Sequence, residues 1–313
     1  MKILILGAGA IGGYVGGRLH QTGADVTFLV REKRLEALHR DGLVIRSTKG
    51  DITQKVKTVT KGSEGGPYDV VLLTCKAYDL DSAMDAIAPA VGGGTTIVPL
   101  LNGMRHLDTL DARFGAAKVV GGLARVGVAM NEQGHILHTS PFAAISFGER
   151  DGKPPRAALT ALDAAIKSSG VDGGLNANIV QDLWDKWIML CTLAATCCLM
   201  RGTSGDILEA EEGRAIVLET VDEGRKVAAA AGHDPGEKGI TTIRSFLTVK
   251  GSKFAASMLH DLEKGAMVEA DHIVGDMIAR AKKDGIATPN LRLAYAHLQV
   301  YMAQRARKVG KQA

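Results

Sequence analysis

A chain of 313 residues with 46% hydrophobic and 23% charged side chains has a globular composition and room for two domains of ordinary size. Its net charge is +4, only 4% of its residues are aromatic, and no dense basic stripe is interleaved with aromatics. That excludes a nucleic-acid stacking platform and suits small anionic partners instead.

Lys2 to Leu6 reads as a short buried strand that runs straight into Gly7, Gly9 and Gly12, spaced G-x-G-x-x-G, with an apolar-periodic helix from Ile11 to Leu19 behind them. The first glycine allows the strand-to-helix turn, the second a close backbone approach to a pyrophosphate, and the third close helix–strand packing. The first-turn N–H groups of Ala10, Ile11 and Gly12 then face the phosphates. The glycines interrupt the apolar run, so a signal peptide explains it less well. A second strand, Asp25 to Val30, ends at Arg31, where NAD enzymes carry an acidic residue for the ribose hydroxyls. A cation suits a 2′-phosphate, so NADP(H) is the expected cofactor, with Arg31 its best contact. Lys33 and Arg34, close behind, could share that contact or start a solvated basic helix.

A helix over Arg31 to Arg40 precedes strands at Gly42 to Ser47 and Ile52 to Val59. An almost wholly apolar strand, Asp69 to Cys75, ends at Lys76. A helix from Leu80 to Ala90 and a strand from Thr95 to Leu101 follow, ending at Asn102. Alternating strands and helices predict a parallel, doubly wound α/β sheet of Rossmann type. Ligands lie beyond the carboxyl ends of such strands, so Arg31, Lys76 and Asn102 are expected to converge there, although Asn102-Gly103 also reads as a simple turn. Val119 to Phe147 predicts antiparallel additions at the sheet edge, with turns at 131–134 and 139–141. A helix behind Pro154 and Pro155 ends near Gly170.

The glycine- and asparagine-rich passage 170–178 marks the expected junction between a nucleotide-binding domain, 1–177, and an all-helical domain, 178–313. Helices are expected over Ile179 to Leu199, Glu211 to Ala231, Gly236 to Val249, a long segment from Ser257 to Lys283, and Leu291 to Lys308, with 305–313 as a loose tail. No stretch reads as long enough to span a membrane. The four cysteines lack zinc-ligand spacing, and adjacent Cys197 and Cys198 read as core residues, so a reduced, cytoplasmic protein with no metal site is expected. Lys186 sits among bulky apolar residues, where it either snorkels to water or has a task. Glu269 follows the apolar stretch 265–268 and could face inward or outward.

These residues form a series: G-x-G-x-x-G with Arg31, Lys76-Ala-Tyr, Asn102-Gly-Met, Leu183-Trp-Asp-Lys186, Ser257-Met-Leu-His-Asp261 and Glu269-Ala-Asp271. In order and spacing the series resembles the ketopantoate reductases (2-dehydropantoate 2-reductases) over essentially the whole chain. The resemblance implies NADPH-dependent reduction of ketopantoate to pantoate, in pantothenate biosynthesis. Lys186 would be the catalytic lysine and Glu269 the carboxylate beside cofactor and substrate. Ser257, Asn102 and Ser204 would lie near substrate or nicotinamide, and Lys76 and Arg31 would contact NADPH. It also implies a homodimer through the helical domain. An ordinary lysine is protonated at neutral pH, so Lys186 could stabilise charge on a ketone oxygen and then protonate it.

The departures bear on the substrate. The family's asparagines one and two turns after the catalytic lysine correspond to Leu190 and Ala194, a further asparagine to Ser204, and a polar residue to Phe254. A less polar 2-oxo acid is therefore the alternative substrate. A non-catalytic NADPH sensor is the alternative of another class, but it would need only the glycine turn and Arg31.

Overall fold

The computed structural model describes residues 1–310. By their internal contacts the residues form two compact units. One holds Met1–Leu101 and His106–Val180, and the other holds Asn102–Arg105 and the chain from Gln181 onward.

The first unit contains the expected parallel sheet. Its strands are β1 (Lys2–Leu6), β2 (Asp25–Leu29), β5 (Lys57–Val59), β6 (Val70–Leu73) and β7 (Thr96–Pro99), in the spatial order β5-β2-β1-β6-β7 and parallel throughout. Helices α1 (Ala10–Gln21), α2 (Glu32–Asp41) and α3 (Leu80–Ile87) alternate with these strands. β1, β6 and β7 are almost wholly buried, as continuous Ile, Leu and Val runs require when both faces are covered.

A second sheet in the same unit corrects four expectations. The run Ile52 to Val59 is not one strand. β4 (Ile52–Gln54) pairs antiparallel with β3 (Leu43–Ser47), whereas β5 crosses to the parallel sheet beside β2. The antiparallel strands expected over Val119 to Phe147 are present, but in the second sheet rather than at the edge of the parallel one. They form a hairpin of β8 (Gly121–Met130) and β9 (Ile136–Gly148), and β9 pairs in parallel with β3 along its other edge. Thr139-Ser-Pro141 is no turn but a bulge in β9, where the pairing jumps between Val126 and Val128 and a proline lacking its N–H is tolerated. Part of the presumed junction is strand as well, since β10 (Asp172–Leu175) extends this sheet along β9. Helix α4 (Arg105–Phe114) follows β7, and α5 (Ala157–Ser168) precedes β10.

The two sheets explain the glycines of α1, which cost about 1 kcal/mol each relative to alanine inside a helix. A Cβ at Gly16 would strike Ile5 and Phe28 of the parallel sheet. At Gly13 it would meet Ile136 and Leu43, and at Gly17 Ile45 and Leu43, all of the second sheet. Helix α1 thus approaches side chains of both sheets, and Tyr14 and Val15 are fully buried there.

The second unit is helical: the bulk of α6 (Ile179–Met200), α7 (Ser204–Glu209), α8 (Gly213–Ala230), α9 (Gly236–Leu247), α10 (Ser257–Glu263), α11 (Asp276–Lys283) and α12 (Pro289–Val309). Helix α7, which the sequence reading did not anticipate, starts with a capping box in which Thr203 and Asp206 exchange hydrogen bonds. The long segment from Ser257 is broken after Glu263, and a π-helical turn at Asp271–Gly275 leads into α11. The expected loose tail from Arg305 is helix as far as Val309, and 311–313 lie outside the described residues. The membrane expectation is corrected in one respect. Helix α6 is long and apolar enough to cross a bilayer by length and composition, but 67% of its apolar window is buried in this structure, as in a core helix. Cys191, Cys197 and Cys198 lie on α6 fully buried, and burial pushes the Cys198 thiol up to about 12.

Candidate active site

Gly7 has φ +94°, a left-handed conformation that the strand-to-helix turn demands and glycine supplies. Its N–H donates to the Leu29 carbonyl at 2.9 Å, while Thr74 Oγ1 at the end of β6 donates to the Leu6 carbonyl at 2.7 Å. A Cβ at Gly12 would overlap both the Gly7 carbonyl oxygen and Thr74 Oγ1, so the turn is closed around that position. Gly9 is the opposite case. It caps α1 in an extended conformation with no side-chain cap, and a Cβ there would meet nothing within 4 Å. The half-buried Ala10 and Ile11 follow it. An open backbone at the head of a twelve-residue helix fits the pyrophosphate of a dinucleotide.

The cations after β2 separate by role. Arg31 is exposed at the head of α2, with a guanidinium nitrogen 3.0 Å from Asp79 Oδ1. Arg34 turns inward instead. Its Nε donates to the Ala8 carbonyl and its Nη1 to the Gly134 carbonyl, each at 2.9 Å, which ties the glycine turn to the β8–β9 turn. Burial holds its pKa below the ordinary arginine value. Lys33 is exposed. Lys76 is half-buried after β6, where its carbonyl accepts from the Asp79 N–H at 2.9 Å.

The second unit assembles its own cluster. Asn102 belongs to it, and Lys186 Nζ on α6 donates to Asn102 Oδ1 at 2.8 Å. The next residue, Gly103, is buried with φ +76°. A Cβ there would lie 2.9 Å from the His272 carbonyl oxygen and 3.0 Å from the edge of its ring. His272 is held in turn, because its N–H donates to the Glu269 carbonyl at 3.2 Å. Trp187, beside Lys186, donates its indole N–H to the Ile273 carbonyl at 2.9 Å. Asn102, Lys186 and the buried Glu269 are therefore bound into one framework through the π-helical turn. Burial is the first cause pushing the His272 imidazole pKa down, against the raising effect of Glu269 and Asp276, so the ring is neutral at pH 7. Arg280 is half-buried near this framework. It lies over the rings of Trp184 and Trp187 and pairs with Asp276 at 3.1 Å.

The remaining expected residues differ in access. Ser257 is exposed at the start of α10, and Leu190 is half-buried. Ala194 is completely buried. Ser204 is 4% exposed, with a hydroxyl that has no hydrogen-bond partner in this structure. The sequence reading missed Thr74, His272 and Trp187. Thr74 had a signal, a lone hydroxyl at the end of an apolar strand. His272 had none, since its contact with Gly103 joins distant parts of the chain.

A nucleotide-type glycine turn with a separate lysine–amide pair is the equipment of a dinucleotide-dependent oxidoreductase. Comparison with known proteins agrees. Residues 3–152 match the family model for ketopantoate reductase PanE/ApbA, and residues 178–302 match the model for its C-terminal part. The uncharacterized oxidoreductase YkpB of Bacillus subtilis is 36% identical over 97% of this chain and 100% of its own. A 2-dehydropantoate 2-reductase of Streptococcus pyogenes is 27% identical over 94% of this chain and 95% of its own. The crystal structure of 2-dehydropantoate 2-reductase from Geobacter metallireducens superposes with a TM-score of 0.87 at 29% identity, covering 96% of this chain and 99% of that one. This chain belongs to the ketopantoate reductase family of oxidoreductases.

Proposed function

We propose that this protein reduces a 2-oxo acid to the 2-hydroxy acid with NADPH, ketopantoate being the substrate that its relatives' names supply. The observation that carries the reading is the 2.8 Å contact between Lys186 Nζ and Asn102 Oδ1, in the unit that also holds the buried Glu269. When bound, the nicotinamide supplies a hydride to the ketone carbon. As negative charge grows on the ketone oxygen, the Lys186 ammonium donates a hydrogen bond to it and then delivers the proton. Asn102 Oδ1 accepts from one ammonium N–H and fixes its direction. Glu269 offers a carboxylate for a cofactor hydroxyl or for orienting the lysine.

For the cofactor, Gly7, Gly9 and Gly12 would hold the pyrophosphate and Arg31 the 2′-phosphate. The Arg31–Asp79 pair is exposed, and such pairs contribute only about 0–1 kcal/mol, so a phosphate can compete for the guanidinium. Lys76 would contact the same cofactor.

The test is loss of NADPH absorbance with ketopantoate and other 2-oxo acids. Turnover that disappears in Lys186→Ala supports the reading. NADPH binding without turnover of any 2-oxo acid overturns it and leaves a nucleotide sensor.

A further inference from the structure

We propose that Tyr301 and Arg305, in the outer half of α12, are positioning residues for Glu269, because they hold the two carbonyls from which its segment starts. The inference rests on the reductase reading above and adds residues to that same site.

Glu269 is delivered by a stretch without regular structure. Helix α10 ends at Glu263, and the chain leaves it through Gly265 with φ +68°. The Gly265 N–H donates to the Leu262 carbonyl at 3.1 Å and the Ala266 N–H to the Asp261 carbonyl at 2.8 Å, the paired bonds of a Schellman turn. Ala266 to Glu269 then run to the π-helical turn as neither helix nor strand. At the end of this run the Glu269 carbonyl accepts from the Ile273 N–H at 3.0 Å. At its start the carbonyls find partners on α12. Tyr301 Oη donates to the Ala266 carbonyl at 2.6 Å, and Arg305 Nε donates to the Gly265 carbonyl at 3.0 Å. Adjacent carbonyls thus meet donors that lie one helical turn apart.

The two halves of α12 differ in what they bury. Its inner half buries Leu291, Ala294 and Leu298. From 299 to 310 no residue is buried, and the half-buried ones are Tyr301, Met302 and Arg305, on one flank. Core packing does not account for the outer half, and the two hydrogen bonds to the Glu269 segment give it a task. Partial burial raises the Tyr301 phenol above its ordinary pKa, so the hydroxyl stays a donor. The inner half grips the other side of Glu269. Tyr295 Oη donates to Asp271 Oδ1 at 2.7 Å, and a Cβ on Gly275 would lie 3.0 Å from the Tyr295 ring. One helix therefore holds the chain both before and after Glu269. That side chain is 7% exposed, so close packing ties the direction of its carboxylate to the placing of its backbone.

The experiment measures kcat on the best 2-oxo acid for Tyr301→Phe, which removes only the hydroxyl, alone and combined with Glu269→Gln. Alone, Tyr301→Phe should lower kcat by about fivefold or more and shift the melting temperature by only a few degrees. Combined with Glu269→Gln it should change kcat by less than about twofold, because the carboxylate it would aim has already gone. Arg305→Ala should behave as Tyr301→Phe does, and Arg305→Lys, which keeps a donor for the Gly265 carbonyl, should recover most of the loss. An unchanged kcat in Tyr301→Phe, or the same loss with and without Glu269→Gln, overturns the inference and leaves the reductase reading standing. Equal losses in Arg305→Ala and Arg305→Lys also overturn it, and this pair decides if Tyr301→Phe does not fold or Glu269→Gln is too slow to read. Absence of turnover with every acid in the unmutated protein overturns the inference and the reductase reading together.

Discussion

The glycine turn after β1 and the Lys186 cluster of the helical unit are held by opposite means. At the turn glycine backbone is closely packed: Gly12 lies against the Gly7 carbonyl and the Thr74 hydroxyl, and Gly13, Gly16 and Gly17 lie against side chains of the two sheets. In the cluster, side chains are strung between elements: Lys186 to Asn102, Trp187 to the Ile273 carbonyl, and the His272 ring against Gly103. Gly12, Gly13, Gly16 and Gly17 leave no room for an added atom, although Gly9 lies open, whereas the cluster depends on the direction in which its side chains are held. A change at the turn should therefore register as stability and nucleotide affinity, and a change in the cluster as turnover.

The largest effect is expected where the cluster touches the reacting atoms. Lys186→Ala should lower kcat by about 10²–10⁴ while NADPH affinity stays close to the unmutated value. An unchanged rate on the best substrate would reduce Lys186 to a snorkelling side chain. Gly12→Ala tests the other side. Its Cβ collides with fixed backbone, so it should cost about 1–3 kcal/mol of stability and weaken NADPH binding, readable as a lower melting temperature and a higher Kd. A variant as stable and as tight-binding as the parent would show that the turn can yield.

Gly103→Ala sharpens the contrast, because a glycine in the cluster should behave unlike one in the turn. The added methyl must push the Asn102-Gly103 segment away from His272, which moves the acceptor of Lys186. A misplacement of that size costs about tenfold to a hundredfold in kcat, with the Kd for NADPH nearly constant. Equal losses in affinity and rate would break the comparison. Arg31→Ala acts on the choice of cofactor alone. A charge-assisted phosphate contact contributes about 1.5–3 kcal/mol, so the parent should prefer NADPH over NADH by at least about tenfold. The variant should lose most of that preference and keep its affinity for NADH. Equal affinities in the parent would remove Arg31 from the cofactor site.

What the sequence disclosed follows the same division. The strand, the glycines and the helix of the nucleotide turn are consecutive, so local chemistry suffices to read them. The break in Ile52 to Val59 is invisible locally, because the residues keep strand character while their partners change from β3 to β2. The glycines of α1 read as a poor helix until the second sheet gives them a surface to approach. In the helical unit, Lys186 and Glu269 are conspicuous as charges in apolar surroundings. The seating of Gly103 on His272 is a contact between distant segments, and neither residue announces it.

Asn102 carries a consequence for any attempt to take the protein apart. The helical unit is not one stretch of chain, for it includes the four-residue piece Asn102–Arg105 as well as everything from Gln181. A fragment cut at the obvious place, starting at Gln181, would contain Lys186, His272 and Glu269 yet lack the oxygen that aims the ammonium. Its folded core could survive, but the lysine would be unaimed and His272 would face a gap where Gly103 had been. Exchanging helical halves between relatives meets the same obstacle: a graft has to bring its own asparagine and glycine from the far end of β7, or the transplanted lysine arrives without its guide.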